Sequence, residues 1–206
     1  MAGTTKEKRT LESLEINGGA LCLNFVNTVN SRPDPRHDYL MTYSDLAGWG
    51  GRVGLLSTRQ LNRLQRQAGR ETEKADEALR TAKMLRELLY RLFSNLTRQV
   101  EPRRQDMDVF VRFYGEAVSS SHFVRRNDFH SPDWETDRTY GAMLWPISYS
   151  AGQLLLSRQL TQVKECPACG WLFLDTSRNQ SRRWCSMNTC GVSDKMRRYY
   201  RKSQNK

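Results

Sequence analysis

The sequence predicts a mainly α (α+β) chain: a helical N-terminal domain with a small β insertion, then a compact C-terminal module held together by cysteine. Three observations predict it. Apolar residues recur at helical spacing through most of the first 160 of 206 residues, most regularly from Ala75 to Leu96. Short alternations broken by turn residues fill 122–140, where a β-hairpin is expected. Four of the five cysteines crowd into 166–190 as C-x2-C-x15-C-x4-C.

Taken in order, residues 1–13 are polar and carry no periodicity. Leu21, Phe25 and Val29, with Cys22 and Val26, set a helix that should end near Asn30 to Pro33; a short buried strand is the alternative for so apolar a run. Cys22 sits on its apolar face and reads as a buried core thiol. Asn24, Asn27 and Thr28 beside this run are candidates for the polar lip of a ligand pocket; the alternative is a structural hydrogen-bond network. Pro33 to Asp38 reads as a surface loop. Ser44 can cap a short helix that Gly50, Gly51 and Gly54 interrupt. Ser57 and Gln60 form a capping box opening a helix that runs to Gly69. Thr72 opens the longest helix, expected to reach nearly to Pro102. Met107, Phe110, Val111 and Tyr114 mark another, and Tyr140 to Leu160 a further one whose start Pro146 kinks or delays.

The cysteine spacing points to a metal. Two close pairs can each grip one edge of a tetrahedron, which is the spacing of a structural four-cysteine Zn2+ site. A disulfide framework would need an oxidising compartment, and the N-terminal stretch lacks the apolar core of a signal peptide. A redox CxxC needs no second pair, and the flanking residues favour zinc over an iron–sulfur cluster. Gly170 after Cys169 suits a tight knuckle with positive φ. Trp171–Leu174 and Arg182–Trp184 around a polar turn read as a hairpin, and 193–202 as a helix whose start supplies the last ligand. Knuckle, hairpin and helix make a treble-clef-like finger at 161–206, beside a domain at 1–160. Such a module is too small to fold on apolar burial, and metal binding supplies on the order of 10 kcal/mol.

The formal net charge is +11, of which residues 161–206 carry +7 from ten Lys or Arg against three Asp or Glu. Positive charge beside a rigid finger fits a polyanion such as nucleic acid. Lys195, Arg198 and Lys202 share one helix face, with Arg197 and Arg201 beside it and Arg182 and Arg183 on the hairpin. These seven are the candidate nucleic-acid contacts, with double-stranded DNA as the expected partner, and one small finger favours a homodimer for selective binding. Aromatics near arginines keep an RNA-binding or protein-interaction module open as the alternative. No run approaches a membrane span, so no membrane partner and a cytoplasmic setting are expected. An enzyme is not expected, because four thiolates close the metal and no catalytic constellation stands out.

These residues also carry a family resemblance. Cys166-Pro167-Ala168-Cys169-Gly170, Arg182 to Met187 and Cys190-Gly191 resemble the CGNR zinc finger. Leu21 to Thr28 and Gly54 to Ser57 are similar to the ABATE domain that accompanies it. The resemblance implies a bacterial stress-responsive transcription regulator, with a finger for DNA and a helical N-terminal domain that senses a stress or small-molecule effector. Three positions depart from the pattern. The final tetrad reads Cys190-Gly191-Val192-Ser193, without its Asn and Arg, and Asn24 stands where the family has Asp.

Overall fold

The computed structural model describes residues 10–34 and 37–204. Within them the helices are α1 (Leu21–Val26), α2 (Tyr43–Arg52), α3 (Thr58–Ala68), α4 (Thr72–Thr97), α5 (Arg104–Ser119), α6 (Leu144–Leu155) and α7 (Val192–Gln204). Strands β1 (His122–Arg126) and β2 (Phe129–Asp133) pair antiparallel, as do β3 (Val163–Glu165) and β4 (Leu172–Leu174). The chain is therefore mostly helical with two small sheets. Of the polar start, residues 1–9 lie outside the described residues, as do Pro35 and Arg36 in the 33–38 loop, and Leu11–Ser13 form a 3-10 turn.

Helix α4 is the axis. Its 26 residues span about 39 Å at 1.5 Å per residue. Ala75, Ala78, Leu79, Ala82, Leu85, Leu88, Leu89, Leu92 and Phe93 bury one continuous stripe. Around it pack α1, α2, α3 and α5, and β3 and β4 lie against the same helix. It stops short of Pro102. Gln99 turns into the left-handed region (φ 58), and the Val100 N–H closes back on the Asn95 carbonyl.

Local chemistry accounts for the other boundaries. α1 is only six residues long, because the Asn27 side chain leaves the helix to pair with a distant strand. α2 starts one residue before Ser44: Thr42 is its cap, exchanging hydrogen bonds with Asp45. Gly50 and Gly51 do not break α2, whereas Gly54 closes it: it takes φ 77 two residues past Arg52, and the Leu55 N–H bonds back to the Gly50 carbonyl at 2.8 Å. At Gly50 a Cβ would come within 2.5 Å of the Met143 sulfur, so the missing side chain is what lets the segment before α6 approach. The Ser57–Gln60 capping box forms as expected. Pro146 sits in the first turn of α6, where its missing N–H costs nothing. The β1–β2 hairpin turns at Asn127-Asp128, with Asn127 at φ 52.

One buried cluster contains residues from both ends of the chain. Phe25, Leu89 and Phe93 belong to it, and so do Val163, Trp171, Leu172, Phe173, Leu174 and Cys185. Asn27 pairs with both backbone groups of Leu172, donating to its carbonyl at 2.8 Å and accepting from its N–H at 3.0 Å. The Trp171 indole N–H donates to the Val29 carbonyl at 2.6 Å, and the Leu174 N–H to the Gly18 carbonyl at 2.8 Å. The 33–38 loop is pinned by a buried ion pair, Arg86 to Asp38, at 2.7 and 2.9 Å.

Two consequences can be measured. Asn27→Ala leaves two buried backbone groups of Leu172 unpaired and should cost about 3 kcal/mol, read as a lower denaturation midpoint at unchanged slope. Burial works against ionised Asp38, but the Arg86 guanidinium outweighs it and holds the carboxyl below its ordinary value. A depressed folded pKa means the stabilisation is complete above the unfolded carboxylate range and is lost as pH falls below about 4. The stability gap between wild type and Asp38→Asn should therefore shrink below pH 4 and be flat from pH 5 to 7.

Candidate metal centre

The first cysteine pair sits at the turn of the β3–β4 hairpin. Its register, Val163↔Leu174 to Glu165↔Leu172, brings Cys166 to the end of β3, where its N–H bonds the Trp171 carbonyl at 2.8 Å. The Gly170 N–H then folds back onto the Cys166 carbonyl at 2.8 Å with φ 73, as the knuckle requires. A Cβ at Gly170 would also lie 2.6 Å from the Cβ of Arg32. The second pair comes from a loop and a helix start. Cys185 is buried, and Cys190 lies in a wide π turn, Met187–Gly191, that runs directly into α7.

The four sulfurs all lie within 4.8 Å of one another, with Cys169 to Cys185 at 3.5 Å and Cys185 to Cys190 at 3.6 Å. A zinc tetrahedron with Zn–S of about 2.3 Å has edges of about 3.8 Å, so the cluster is the size of one zinc coordination shell. The donors are all thiols, and Cys166 and Cys185 are shielded from solvent. The four cysteines are positioned to hold one metal ion, consistent with one structural Zn2+, and such a shell leaves no coordination position for water. Hydrogen bonds from Cys169 and Cys185 hold the Cys166 thiol below its ordinary value, while the same bonds push Cys169 and Cys185 up. Negative charge on the shared sulfurs thus opposes further ionisation, and a dication favours it. Cys22 is apart from this group: burial pushes its thiol up to about 12, as for an inert core cysteine.

The expected hairpin has a different partner. Residues 172–174 pair with 163–165, and 175–186 form a loop organised by the buried Asp175. Its carboxylate accepts from the Ser177 N–H at 3.0 Å, the Ser177 hydroxyl at 2.6 Å, the Arg182 N–H at 2.9 Å and the Lys164 ammonium at 2.6 Å. Burial opposes its charge, but these donors prevail and hold the carboxyl far below the usual range. The Asp-x-Ser spacing is an Asx-turn signal that could have revealed this in the sequence.

The candidate nucleic-acid residues divide. Arg182 is folded onto the finger: its Nε donates to the Trp184 carbonyl at 2.9 Å, another nitrogen bonds the Cys185 carbonyl, and its guanidinium lies over Phe173 at 4.6 Å. Arg183 is exposed, 5.3 Å from the Trp184 ring. Lys195, Arg197, Arg198 and Arg201 are exposed on α7; the Lys202 side chain lies outside the described residues. Tyr199 and Tyr200 do not pack on Trp171 and Phe173, which are already buried against the helical body. They stand 67% and 58% exposed on α7.

The candidate pocket residues are committed to the fold. Asn24 accepts from the Gly18 N–H at 2.7 Å, Asn27 holds Leu172, and Thr28 donates to the Phe25 carbonyl at 2.8 Å. Sequence reasoning missed Glu165, next to the first ligand. It accepts from Tyr90 at 3.0 Å, Ser94 at 2.8 Å and Arg98 at 2.9 Å, tying the knuckle to α4. No local signal marks a contact that spans 67 to 75 residues.

Residues 19–158 match the ABATE family, described as "Putative stress-induced transcription regulator". The chain belongs to the ABATE family. Residues 162–203 match the CGNR zinc finger, so the two matches meet at the start of β3 and the finger match contains all four cysteines. No curated protein matches the chain. No helix among the described residues is long and apolar enough to cross a membrane.

The geometry separates the two arginines experimentally. Zinc-loaded wild type should contain one zinc per chain. Arg182→Ala should speed zinc loss to a chelator about tenfold, because it frees the Trp184 and Cys185 carbonyls beside a ligand, whereas Arg178→Ala in the exposed loop should leave the rate unchanged. Cys185→Ser should abolish stoichiometric zinc. Competition with a colorimetric zinc indicator reads all three.

Proposed function

We propose that this ABATE-family protein is a zinc-dependent transcription regulator whose α7 docks on double-stranded DNA, with residues 1–160 as the sensing body and 161–206 as the reading module. The observation that carries this is the state of α7. It is anchored at one end by the metal turn, and its cations Lys195, Arg197, Arg198 and Arg201 are exposed. Among the described residues none of these four makes an ion pair within the chain. Thirteen residues make a rod of about 20 Å, a size the major groove admits. Lys and Arg would position the rod on phosphates, and one arginine would read guanine. Arg183 extends the footprint, while Arg182 serves the finger.

One such rod offers little selectivity, and we favour a homodimer reading two half-sites. The continuous core between body and finger gives a route by which an effector on the body would alter the finger. Val192 and Ser193 replace the family Asn and Arg at the start of α7, which removes one cation from the footprint.

Fluorescence anisotropy of zinc-loaded protein on random duplex DNA tests this. Four to five phosphate contacts should give a slope of log K against log salt of about −3.6 to −4.5, and Arg198→Ala should reduce that slope by about 1. A salt-independent or absent signal would sink the proposal. One observation favours a second reading: Tyr199 and Tyr200 stand exposed among the cations, a platform on which unpaired bases could stack. Single-stranded DNA or RNA outcompeting duplex at fixed salt, with binding lost in Tyr199→Ala, would select it.

A further inference from the structure

A cleft of about 910 Å³ lies between the C-terminal half of α4, the Arg32–Pro33 turn and the zinc knuckle. That is within the range of small-molecule sites, roughly 300–1,000 Å³. Its charged lining is one-sided: Arg32, Arg98, Lys164, Arg182 and Arg183 against the single carboxylate of Glu165. Lys164 and Arg182 are occupied in holding Asp175 and the finger carbonyls. Arg98 and Arg183 have accessible donors to spare, and the spare donor of Arg32 is its shielded Nε. Arg98 gives Glu165 one nitrogen only, and its side chain is 60% exposed. Arg183 is exposed and makes no ion pair among the described residues.

Arg32 is the most informative of the lining residues. Its side chain is only 7% exposed, one nitrogen meets Glu87 at 2.5 Å, another meets the Val26 carbonyl, and the guanidinium stacks 4.0 Å above the Tyr90 ring. Its Nε is shielded from solvent and has no hydrogen-bond partner among the described residues. A buried donor without an acceptor is costly and calls for an explanation.

We propose that this cleft is the effector site, and that it takes a small anion presenting phosphate or carboxylate oxygens. The word effector rests on the regulator reading above; the binding does not. Glu87 and Asp175 match Arg32 and Lys164, and Glu165 and a zinc tetrathiolate offset the remaining charge, so the cleft recommends itself by the free N–H donors of Arg98 and Arg183 and not by net charge. Its walls belong to both parts of the chain, with Tyr90, Thr97 and Arg98 on one side and Cys166, Pro167 and Gly170 on the other. A ligand that touches both sides adds a bridge beside the one Glu165 already makes, so its binding free energy becomes coupling between body and finger.

Calorimetric titration of the zinc-loaded full chain with inorganic phosphate and, separately, with succinate tests the site and distinguishes the two anion chemistries. At least one should bind one-to-one. Arg98→Gln should weaken it tenfold or more, and Arg112→Gln, an equal charge loss on the exposed face of α5, less than twofold. Arg32→Gln should also weaken it; should that variant fail to fold, Arg98→Gln decides alone. Absence of binding by both anions, or equal weakening by Arg98→Gln and Arg112→Gln, overturns the proposal. A parallel duplex titration keeps the two readings apart. DNA binding without anion binding removes the effector site only, whereas anion binding lost in Arg98→Gln without DNA binding keeps the cleft and removes the regulator.

Discussion

Four thiol sulfurs within 4.8 Å of one another cannot all carry charge unless a cation lies among them. That mutual repulsion, and its relief by one dication, is the constraint on which the C-terminal quarter depends. The knuckle, the 175–186 loop and the π turn contain no regular strand or helix longer than the π turn itself. They approach each other because each contributes sulfur to one point. The same point sets where α7 begins, since Cys190 lies in the turn that feeds the helix. A helix whose described side chains are nearly all exposed to solvent is thus anchored at its first turn.

The metal module is not an appendage. Asn27 gives β4 a surrogate pairing partner, Trp171 reaches Val29, and the Arg32 N–H bonds the Cys169 carbonyl at 2.8 Å. These bonds bury polar groups in matched pairs, so the seam between body and finger is largely satisfied as well as apolar, with the Arg32 Nε the exception. Glu165 adds a charged tie to α4 one residue before the first ligand. Movement of α4 therefore bears directly on the metal site, a physical basis for coupling that needs no flexible linker. The cost is that residues at the seam serve the fold first: Asn27 and Thr28 have no free polar atom to offer a ligand pocket, and Arg182 is held by the finger's own carbonyls.

Much of this was legible because the signals are local. The stripe from Ala75 to Phe93, the Ser57 capping box, the β1–β2 turn and the glycine after Cys169 each depend on neighbours a few residues away. Errors arose where a distant partner intervened. Asn27 ended α1 early because Leu172 claimed its amide. Residues 182–184 did not form a strand because β4 was already paired with β3 and the Asp175 carboxylate had gathered the loop. Tyr199 and Tyr200 stand exposed on α7, because the aromatics of the finger, Trp171 and Phe173, face the helical body.

The sequence by itself determined the helical class, the four sulfur ligands, the position of the knuckle and the basic character of the last helix. Spacing and charge are properties of the chain and survive any packing. Only the tertiary structure decided which cations remain free, which amides are spent, and that an arginine-lined cleft opens between α4 and the metal knuckle. Those outcomes depend on competition among groups many residues apart for the same few buried donors and acceptors, and a linear pattern records the competitors without recording which pair wins.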